Sequence, residues 1–383
     1  MSRGVTFYYD SYELSFLAKS LPKVFPLSAR PSVAGGNMLT MEIKSRWLVV
    51  LVVTTASLAV ACSSPGATPV ATDEDQPLKI GVVTDVGKVD DRSFNQLAWE
   101  GAQQGAAAIG GNVSYIESES REDYEKNINT YVERDVDVIV TVGFALGEAT
   151  TTAAKDYPDI TFIGVDQDPI DVLPNLAGLI IPADHSGFLA GVLAGMITQS
   201  NTVAAVLGTD EIPPVVAFKE GWESGARYAN PQVETISKYH PGTLNVVFND
   251  PDWGAATARE FMDQGADVIF AAAGNTGNGA LAAVAEQEGV YCIGVDADQW
   301  QTLPEARPCL VTSALRSIGP GVAQLITAVH NGEFSGGSTV GAVSLAPFHD
   351  FDALVTDQMR DTLDAVLTGL KDGSITTGYD PSS

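Results

Sequence analysis

Acidic residues and glycines recur in this sequence where short apolar runs end. These positions hold Asp85, Gly143, Asp166, Asp210, Gly274 and Asp296. In open parallel sheets ligands bind beyond the carboxyl ends of the strands, so such side chains are candidates for a binding site. Carboxylates there can serve as an acid–base pair in catalysis, or they can accept hydrogen bonds from a ligand that does not react.

The sequence lacks the other components that common catalytic sites need. None of the four histidines (His185, His240, His330 and His349) follows one of these strand ends beside a Ser or Cys, and the pattern G-x-S-x-G does not occur. The stretch GNTGNG (274–279) lacks the Lys-Ser/Thr of a phosphate-binding loop, and the segment after the first strand lacks the dinucleotide glycines. Metal-ligand spacings are also absent. We therefore expect no enzyme, no cofactor and no metal, but a cleft for a neutral polyhydroxylated or aromatic ligand.

The elements that carry these residues form two similar α/β units. Strand-like runs alternate with helical patterns along the chain, which indicates parallel sheets covered by helices. The second unit repeats the first: EGWESGA (220–226) matches EGAQQGA (100–106), and CIGVDAD (292–298) matches FIGVDQD (162–168). We expect lobe 1 at 78–182 plus about 313–337, and lobe 2 at 183–312 plus about 338–383, with a hinge where the chain crosses between them.

A helix over 93–109 follows the first strand. Its apolar stripe consists of Phe94, Leu97, Ala98, Gly101, Ala102, Gly105 and Ile109, and Ser93 is its candidate N-cap. Trp99 lies off this stripe, on the same side as Asn95. Because the helix starts at the expected cleft, we predict that Trp99 stacks on the ligand; packing under a neighbouring loop is the alternative.

The N-terminal part predicts export and a membrane anchor. A basic start, an apolar run of about a dozen residues and small residues precede Cys62, which resembles a bacterial lipoprotein signal at 41–61. An ordinary cleaved signal is the alternative. Residues 1–40 are interpreted as a mis-annotated extension, and 62–77 as the lipidated cysteine with a flexible tether.

Charge and cysteine content agree with an exported binding protein. Residues 1–61 hold six of the 21 Lys/Arg and three of the 48 Asp/Glu, so 15 basic and 45 acidic residues remain, a formal charge of −30. Such a surface repels nucleic acid. Cys292 and Cys309 are the two cysteines beyond Cys62, and outside the cytoplasm they can either form a disulfide or stay free.

Five stretches together resemble the basic membrane lipoprotein family, the substrate-binding proteins of ABC transporters that are similar to the purine nucleoside receptor A. They are GKVDDRSFNQLAWEG, GFLAGVLAGMIT (187–198), GADVIFAAAGNTGNGA (265–280), GVDADQ (294–299) and LVTSALR (310–316). The resemblance covers residues 78 to about 350. It implies a type I periplasmic-binding fold, in which two Rossmann-like lobes with parallel sheets are joined by three crossover segments, and a nucleoside is enclosed between the lobes.

The resemblance also implies a set of ligand-binding residues. The ligand would be surrounded by Asp91, Ser93, Asn95 and Gly274. Its base would stack between Trp99 and Phe248, and Trp253 is the alternative to Phe248. Asp166 would bind the base, and Asp296 would bind the ribose. Arg316 stands where the family commonly has lysine, which is a departure because its planar guanidinium is a larger donor.

The implied function is capture of a nucleoside, most often a purine nucleoside, for an ABC permease and ATPase on the extracytoplasmic face of the cell membrane. A sugar or another small heterocycle is the alternative ligand. A receptor that signals through a sensor protein is the alternative function.

Overall fold

Strands and helices alternate from Lys79 to Asp372 in the computed structural model, which describes residues 76–381. The interpreted extension (1–40), signal peptide (41–61), lipidated Cys62 and most of the tether lie outside the described residues. Within 76–381, no helix has both the length and the apolar character needed to cross a membrane.

The first lobe is built on a sheet of six parallel strands. They are β1 (Lys79–Thr84), β2 (Asn112–Ile116), β3 (Val138–Val142), β4 (Thr161–Val165), β5 (Leu176–Ile180) and β11 (Gly337–Val340), in the spatial order β11-β5-β4-β3-β1-β2. The covering helices are α1 (Phe94–Ile109), α2 (Asp123–Val132), α3 (Gly147–Asp156) and α10 (Ile318–His330). Every residue of β3, VIVTV, is buried, as expected for a parallel strand covered on both faces.

The second lobe repeats this arrangement. Its strands are β6 (Thr202–Leu207), β7 (Glu234–Tyr239), β8 (Val268–Ala272), β9 (Tyr291–Asp296), β10 (Leu310–Arg316) and β12 (Val343–Leu345), in the order β12-β10-β9-β8-β6-β7. Its helices are α4 (Ala183–Ile197), α5 (Pro213–Ala229), α6 (Leu244–Val247), α7 (Pro251–Asp263), α8 (Gly274–Ala285), α9 (Gln299–Thr302) and α11 (Asp357–Asp372). The lobes differ at one edge, where β12 runs antiparallel to β10.

Three short segments connect the lobes, and they lie side by side. The chain crosses after β5, after β10 and after β11, and the crossings are joined by hydrogen bonds from Gly341 N to Ile180 O (2.7 Å) and from Ser317 N to Ala342 O (2.9 Å). Two of the expected boundaries shift as a result. β10 pairs with β9 as far as Leu315, so the chain returns to lobe 1 after Arg316 rather than at about 313. β11 pairs with β5 as far as Val340, so the last crossing follows that residue rather than residue 337.

Close helix packing in lobe 1 depends on two glycines. Gly101 of α1 faces Gly319 of α10 so closely that a Cβ at Gly101 would lie 2.6 Å from the Cα of Gly319. The sequence stripe of α1 is therefore partly a packing surface of small residues, and its buried members include Ala98, Gly101 and Ala102. This contact fixes α10, which comes from the C-terminal part of the chain, onto lobe 1.

Cys292 and Cys309 form a disulfide with a sequence separation of 17 residues. Cys292 lies in β9, and Cys309 immediately precedes β10, its neighbour in the sheet. A backbone hydrogen bond from Cys292 N to Cys309 O (2.7 Å) joins the same two residues. The disulfide therefore holds together the beginnings of the two strands whose far ends carry Asp296 and Arg316.

Candidate functional site

A cavity lies between the lobes, at the carboxyl ends of strands from both sheets. The acidic residues that line it are Asp85, Asp91, Asp166 and Asp296. The aromatic residues that line it are Phe94, Phe144, Phe218 and Phe248. Among the described residues, Arg316 is the one basic side chain in its lining. Asn95, Gly143 and Gly274 also line it. The position agrees with the rule that open parallel sheets bind ligands beyond their strand ends.

Seven of the nine ligand-binding residues expected from the sequence line this cavity. They are Asp91, Asn95, Asp166, Phe248, Gly274, Asp296 and Arg316. Ser93 lies next to it and joins the lobes, because its hydroxyl donates to Val295 O (3.1 Å) and Asp296 Oδ2 (3.2 Å) across the cleft. Their contact with a ligand stays a prediction.

Trp99 is the residue that the structure places elsewhere, which corrects its assignment as a stacking ring. Its indole packs edge to face against the Tyr115 ring on β2, with 5.0 Å between centroids, and it does not line the cavity. Asn95 lies in the first turn of α1, but Trp99 lies four residues, about 6 Å, further along the helix axis. Only the first turn of α1 reaches the cleft.

The aromatic ring that α1 contributes is Phe94. The sequence stripe assigned it to the buried face of the helix, yet it is half-buried and lines the cavity. Phe248 comes from the other lobe, just after α6, and its ring packs so closely on Gly208 that a Cβ there would clash. Gly274 adopts φ 55° beside the Phe248 carbonyl, a conformation that favours glycine.

Asp91 caps helix α1, which is the role that the sequence assigned to Ser93. The Asp91 carboxylate accepts hydrogen bonds from the backbone N–H groups of Ser93, Asn95 and Gln96 and from the Asn95 side chain. Ser93 makes no side-chain cap bond. Burial raises the pKa of Asp91 to about 6, although these hydrogen bonds favour its ionised form. The carboxylate thus fixes the start of α1, and with it Phe94 and Asn95, at the cleft.

Arg316 joins the carboxylates of both lobes. Its Nε donates to Asp296 Oδ1 (2.6 Å) and its terminal nitrogen to Asp166 Oδ2 (2.7 Å), and all three side chains are buried. The guanidinium carbon also lies 5.2 Å from the Phe94 ring centroid and 5.0 Å from that of Phe218. Burial raises the pKa of Asp166, and the arginine offsets part of that increase.

Asp166 and Asp296 occupy equivalent positions in the two lobes, and both have unusual backbone geometry. Asp166 has φ 56° and Asp296 has φ 63°, the left-handed region that non-glycine residues rarely adopt. Asp166 directly follows β4, and Asp296 is the last residue of β9. Both carboxylates face the cleft, where Arg316 binds them. Sparsely populated conformations of this kind concentrate at binding sites, where surrounding contacts hold them.

Several residues of the site were not assigned from the sequence. Asp85 was recognised as a strand-end acid but not as a site residue, and Phe144 and Phe218 had no signal. Phe94 did have one, since it directly follows the helix start in the stretch DDRSFNQ. Residues 76–381 contain no group of three or more His, Cys, Asp or Glu side chains that could hold a metal ion.

Comparison with known proteins gives a consistent result. Residues 78–342 match the family model Bmp, described as ABC transporter substrate-binding protein PnrA-like. The CD4+ T-cell-stimulating antigen of Listeria monocytogenes is 34% identical over 278 residues, which cover 68% of this chain and 76% of that protein. The ABC transporter nucleoside-binding protein BmpA of Lactococcus lactis subsp. cremoris is 28% identical over 360 residues, covering 87% and 99%.

Solved structures show the same architecture. An ABC transporter solute-binding protein from Aeropyrum pernix K1 has a TM-score of 0.70 at 24% identity, covering 79% of this chain and 94% of that chain. A second solute-binding protein, from Conexibacter woesei, has a TM-score of 0.61 at 24% identity, covering 78% and 98%. The expected type I periplasmic-binding fold is confirmed by these likenesses and by the two matching sheets.

Proposed function

This chain belongs to the Bmp family of PnrA-like ABC transporter substrate-binding proteins, and on that premise we propose that it captures a nucleoside, specifically a purine nucleoside, between its lobes. Substrate-binding proteins of ABC importers work with a permease and an ATPase. The proposal is that this protein, anchored through lipidated Cys62 on the extracytoplasmic face of the membrane, delivers the nucleoside to such a complex.

The observation that carries the nucleoside proposal is the pair of aromatic rings contributed by opposite lobes. Phe94 begins α1 in lobe 1, Phe248 follows α6 in lobe 2, and both line the cavity. A flat heterocycle gains stacking energy on each ring, and it makes the second contact only when the lobes close. The relative BmpA of Lactococcus lactis is named a nucleoside-binding protein, which supports this choice of ligand.

The polar groups of the cavity suit the sugar part of a nucleoside. Carboxylates accept hydrogen bonds from hydroxyl groups, and guanidinium groups donate to hydroxyl oxygens. Asp296 and Arg316 lie at the carboxyl ends of adjacent strands of lobe 2, and Asp166 faces them from lobe 1. In the proposed mechanism the ligand enters the open cleft, and bending at the three crossings closes the lobes around it.

Isothermal titration with guanosine, inosine, adenosine, cytidine and ribose tests the proposal. We expect tight binding of at least one nucleoside and weaker binding of ribose, which cannot stack. Phe94→Leu and Phe248→Leu should each weaken nucleoside binding at least about tenfold, because stacking of a base on an aromatic ring contributes about 1–3 kcal/mol.

Phe351→Leu is the matched control, since Phe351 packs against Tyr291 outside the cavity and its loss should leave affinity unchanged. If ribose or another free sugar binds and no nucleoside gives heat, the ligand is a sugar and the nucleoside proposal is wrong. Unchanged nucleoside uptake after deletion of this protein's own gene would favour a sensing role over transport.

A further inference from the structure

Three consecutive residues before α1 each make a hydrogen bond to lobe 2. Asp91 O accepts from Asn278 Nδ2 (2.8 Å) and Arg92 O accepts from Thr302 Oγ1 (2.8 Å), in addition to the bond from the Ser93 hydroxyl. Neither Asn278 nor Thr302 lines the cavity. These two side chains of lobe 2 therefore hold lobe 1 without lining the space in which the ligand is proposed to bind.

The turn formed by residues 91–93 is built within lobe 1. Asp91 N donates to Lys88 O (3.1 Å), and Ser93 N donates to Asp91 Oδ1 (2.9 Å), so these bonds do not need lobe 2. Arg92 has φ 60°, in the left-handed region that non-glycine residues rarely adopt. It stands between the two carbonyl groups that accept from lobe 2, and its backbone geometry therefore sets their directions.

Lobe 2 presents the Asn278 amide in a fixed orientation. Val295 N donates to Gln299 Oε1 (2.9 Å), and Gln299 Nε2 in turn donates to Asn278 Oδ1 (2.8 Å). Because Oδ1 is bound in this way, Nδ2 is the Asn278 atom that reaches Asp91 O. The same Nδ2 also donates to Asn275 Oδ1 (3.0 Å) within lobe 2, so it keeps a partner when the lobes separate.

Two ion pairs also connect the lobes, but they lie at the exposed rim of the cleft. Arg92 pairs with Glu305 (2.5 Å) and Arg121 pairs with Glu211 (3.3 Å), and these side chains are 42–59% exposed. Exposed ion pairs contribute little to stability and are screened by salt. The uncharged bonds to the two carbonyl groups are therefore the better candidates for contacts that favour the closed form.

We propose that Asn278 and Thr302 are positioning residues that raise the affinity for every ligand of the cleft by stabilising the closed form. The proposal rests on the proposed function only in that a ligand is enclosed between the lobes. A bond made only in the closed form raises the closed fraction of the protein, and the apparent affinity rises with that fraction. Since neither side chain contacts the ligand, the factor is the same for all ligands.

Thr302→Val provides the cleanest test, because it keeps the shape of the side chain and removes the donor to Arg92 O. Loss of one neutral hydrogen bond lowers affinity about three- to tenfold. We expect the Kd values for guanosine, inosine and adenosine to rise by one common factor, mainly through faster dissociation. Calorimetric titration and stopped-flow kinetics measure both. Thr362→Val is the matched control, since its hydroxyl donates to Gln358 O within α11.

Asn278→Asp tests the other bond. One carboxylate oxygen can still accept from Gln299 Nε2, which places the second oxygen against Asp91 O, where two acceptors repel. We expect all three nucleosides to bind at least about tenfold more weakly. Asn249→Asp controls for the added charge: Asn249 is exposed, and its Oδ1 accepts from Asn275 (3.2 Å) as a carboxylate also can. This control should keep the wild-type affinity.

The closed fraction can be measured directly from the distance between the lobes. Spin labels at Glu119→Cys in lobe 1 and Asp210→Cys in lobe 2, two exposed positions, report this distance by pulsed electron paramagnetic resonance. Thr302→Val and Asn278→Asp should lower the closed fraction both with and without nucleoside, whereas the two control variants should not. Thermal unfolding curves that match the wild type would show that the variants are folded.

The outcomes separate this inference from the proposed function. Unchanged Kd values, factors that differ among the nucleosides, or an unchanged closed fraction would overturn the positioning role and leave nucleoside capture intact. If no nucleoside binds, the proposed function is wrong, and the closed fraction of the ligand-free protein decides the positioning role. A lower fraction in both variants would then support it, and fractions equal to the wild type would overturn it.

Discussion

Arg316 donates to Asp166 across 2.7 Å, although the two residues are 150 positions apart and belong to different lobes. The same guanidinium binds Asp296 at 2.6 Å. One arginine therefore pairs with two acids that the two lobes bring together, and it does so inside the cavity where the ligand is proposed to bind. The planar guanidinium has N–H groups that point in fixed, different directions, so it can bind both carboxylates at once. A lysine ammonium is a compact charge whose donors do not have such fixed directions.

Removing this arginine should destabilise the protein strongly. Arg316→Ala leaves Asp166 and Asp296 buried without a counter-charge, and loss of one partner from a buried ion pair costs about 3–5 kcal/mol. Urea unfolding at pH 7 measures the free energy. Arg316→Lys retains the charge and should lose less. If Arg316→Ala unfolds at the same urea concentration as the wild type, the predicted contribution of this ion-pair cluster to stability is wrong.

Truncation of Trp99 should affect stability, whereas truncation of Phe94 should affect ligand affinity. Both residues lie on α1, but only Phe94 lines the cavity. Trp99→Ala should lower the free energy of unfolding by about 1–3 kcal/mol through lost packing on Tyr115, with nucleoside affinity unchanged. Phe94→Ala should lower affinity at least about tenfold. Calorimetric titration and thermal unfolding of both variants separate the two effects. Reduced affinity in the Trp99 variant would restore it as a binding residue.

The disulfide should contribute measurably to stability. Cys292 and Cys309 are separated by 17 residues in sequence. In the chain-entropy description, a disulfide that closes a loop of about this length stabilises the folded state by about 3 kcal/mol. The double variant Cys292→Ala/Cys309→Ala should lower the free energy of unfolding by about 2–4 kcal/mol. A reducing agent should lower that of the wild type similarly while leaving the double variant unaffected. Equal stability of oxidised and reduced wild type would contradict this expectation.

Asp85 should make stability depend on pH. Burial raises its pKa from 3.8 to about 6, with the charge of Asp166 as a lesser cause. The groups that face it are Asp166, Asp91 through the shared Asn95 amide, and Tyr124 of α2. Between pH 4 and 6 the folded protein binds this proton more tightly than the unfolded chain, so the contribution of Asp85 to stability falls as pH rises through that window.

Asp85→Asn should consequently be more stable than the wild type at pH 7, by about 1–3 kcal/mol, and the difference should shrink towards pH 4. Thermal unfolding across pH 4–8 measures both curves. Asp91 titrates in the same range but is present in both proteins, and its contribution therefore cancels in the difference. Asp159→Asn, at an exposed aspartate, is the control and should follow the wild-type curve. A difference that grows as the pH is lowered would contradict the direction of the shift.

The sequence by itself determined the two-lobed architecture, because parallel strands buried on both faces must be continuous apolar runs, and the duplicated runs made the second lobe visible. It also identified the strand-end acids Asp166 and Asp296, since the ends of parallel strands meet at one edge of a sheet. The family motifs added Asn95, Phe248 and Arg316 to the cavity.

Only the tertiary structure decided which side chains on those elements reach the cleft. Helical periodicity places Asn95 and Trp99 on one side of α1, but it contains no information on where along the helix axis the cleft ends, and one turn separates a cavity residue from a packing residue. The partners of Arg316 were likewise undetermined, because they depend on how two lobes approach each other. That approach is governed by contacts between residues 150 positions apart, and no local pattern in the chain specifies them.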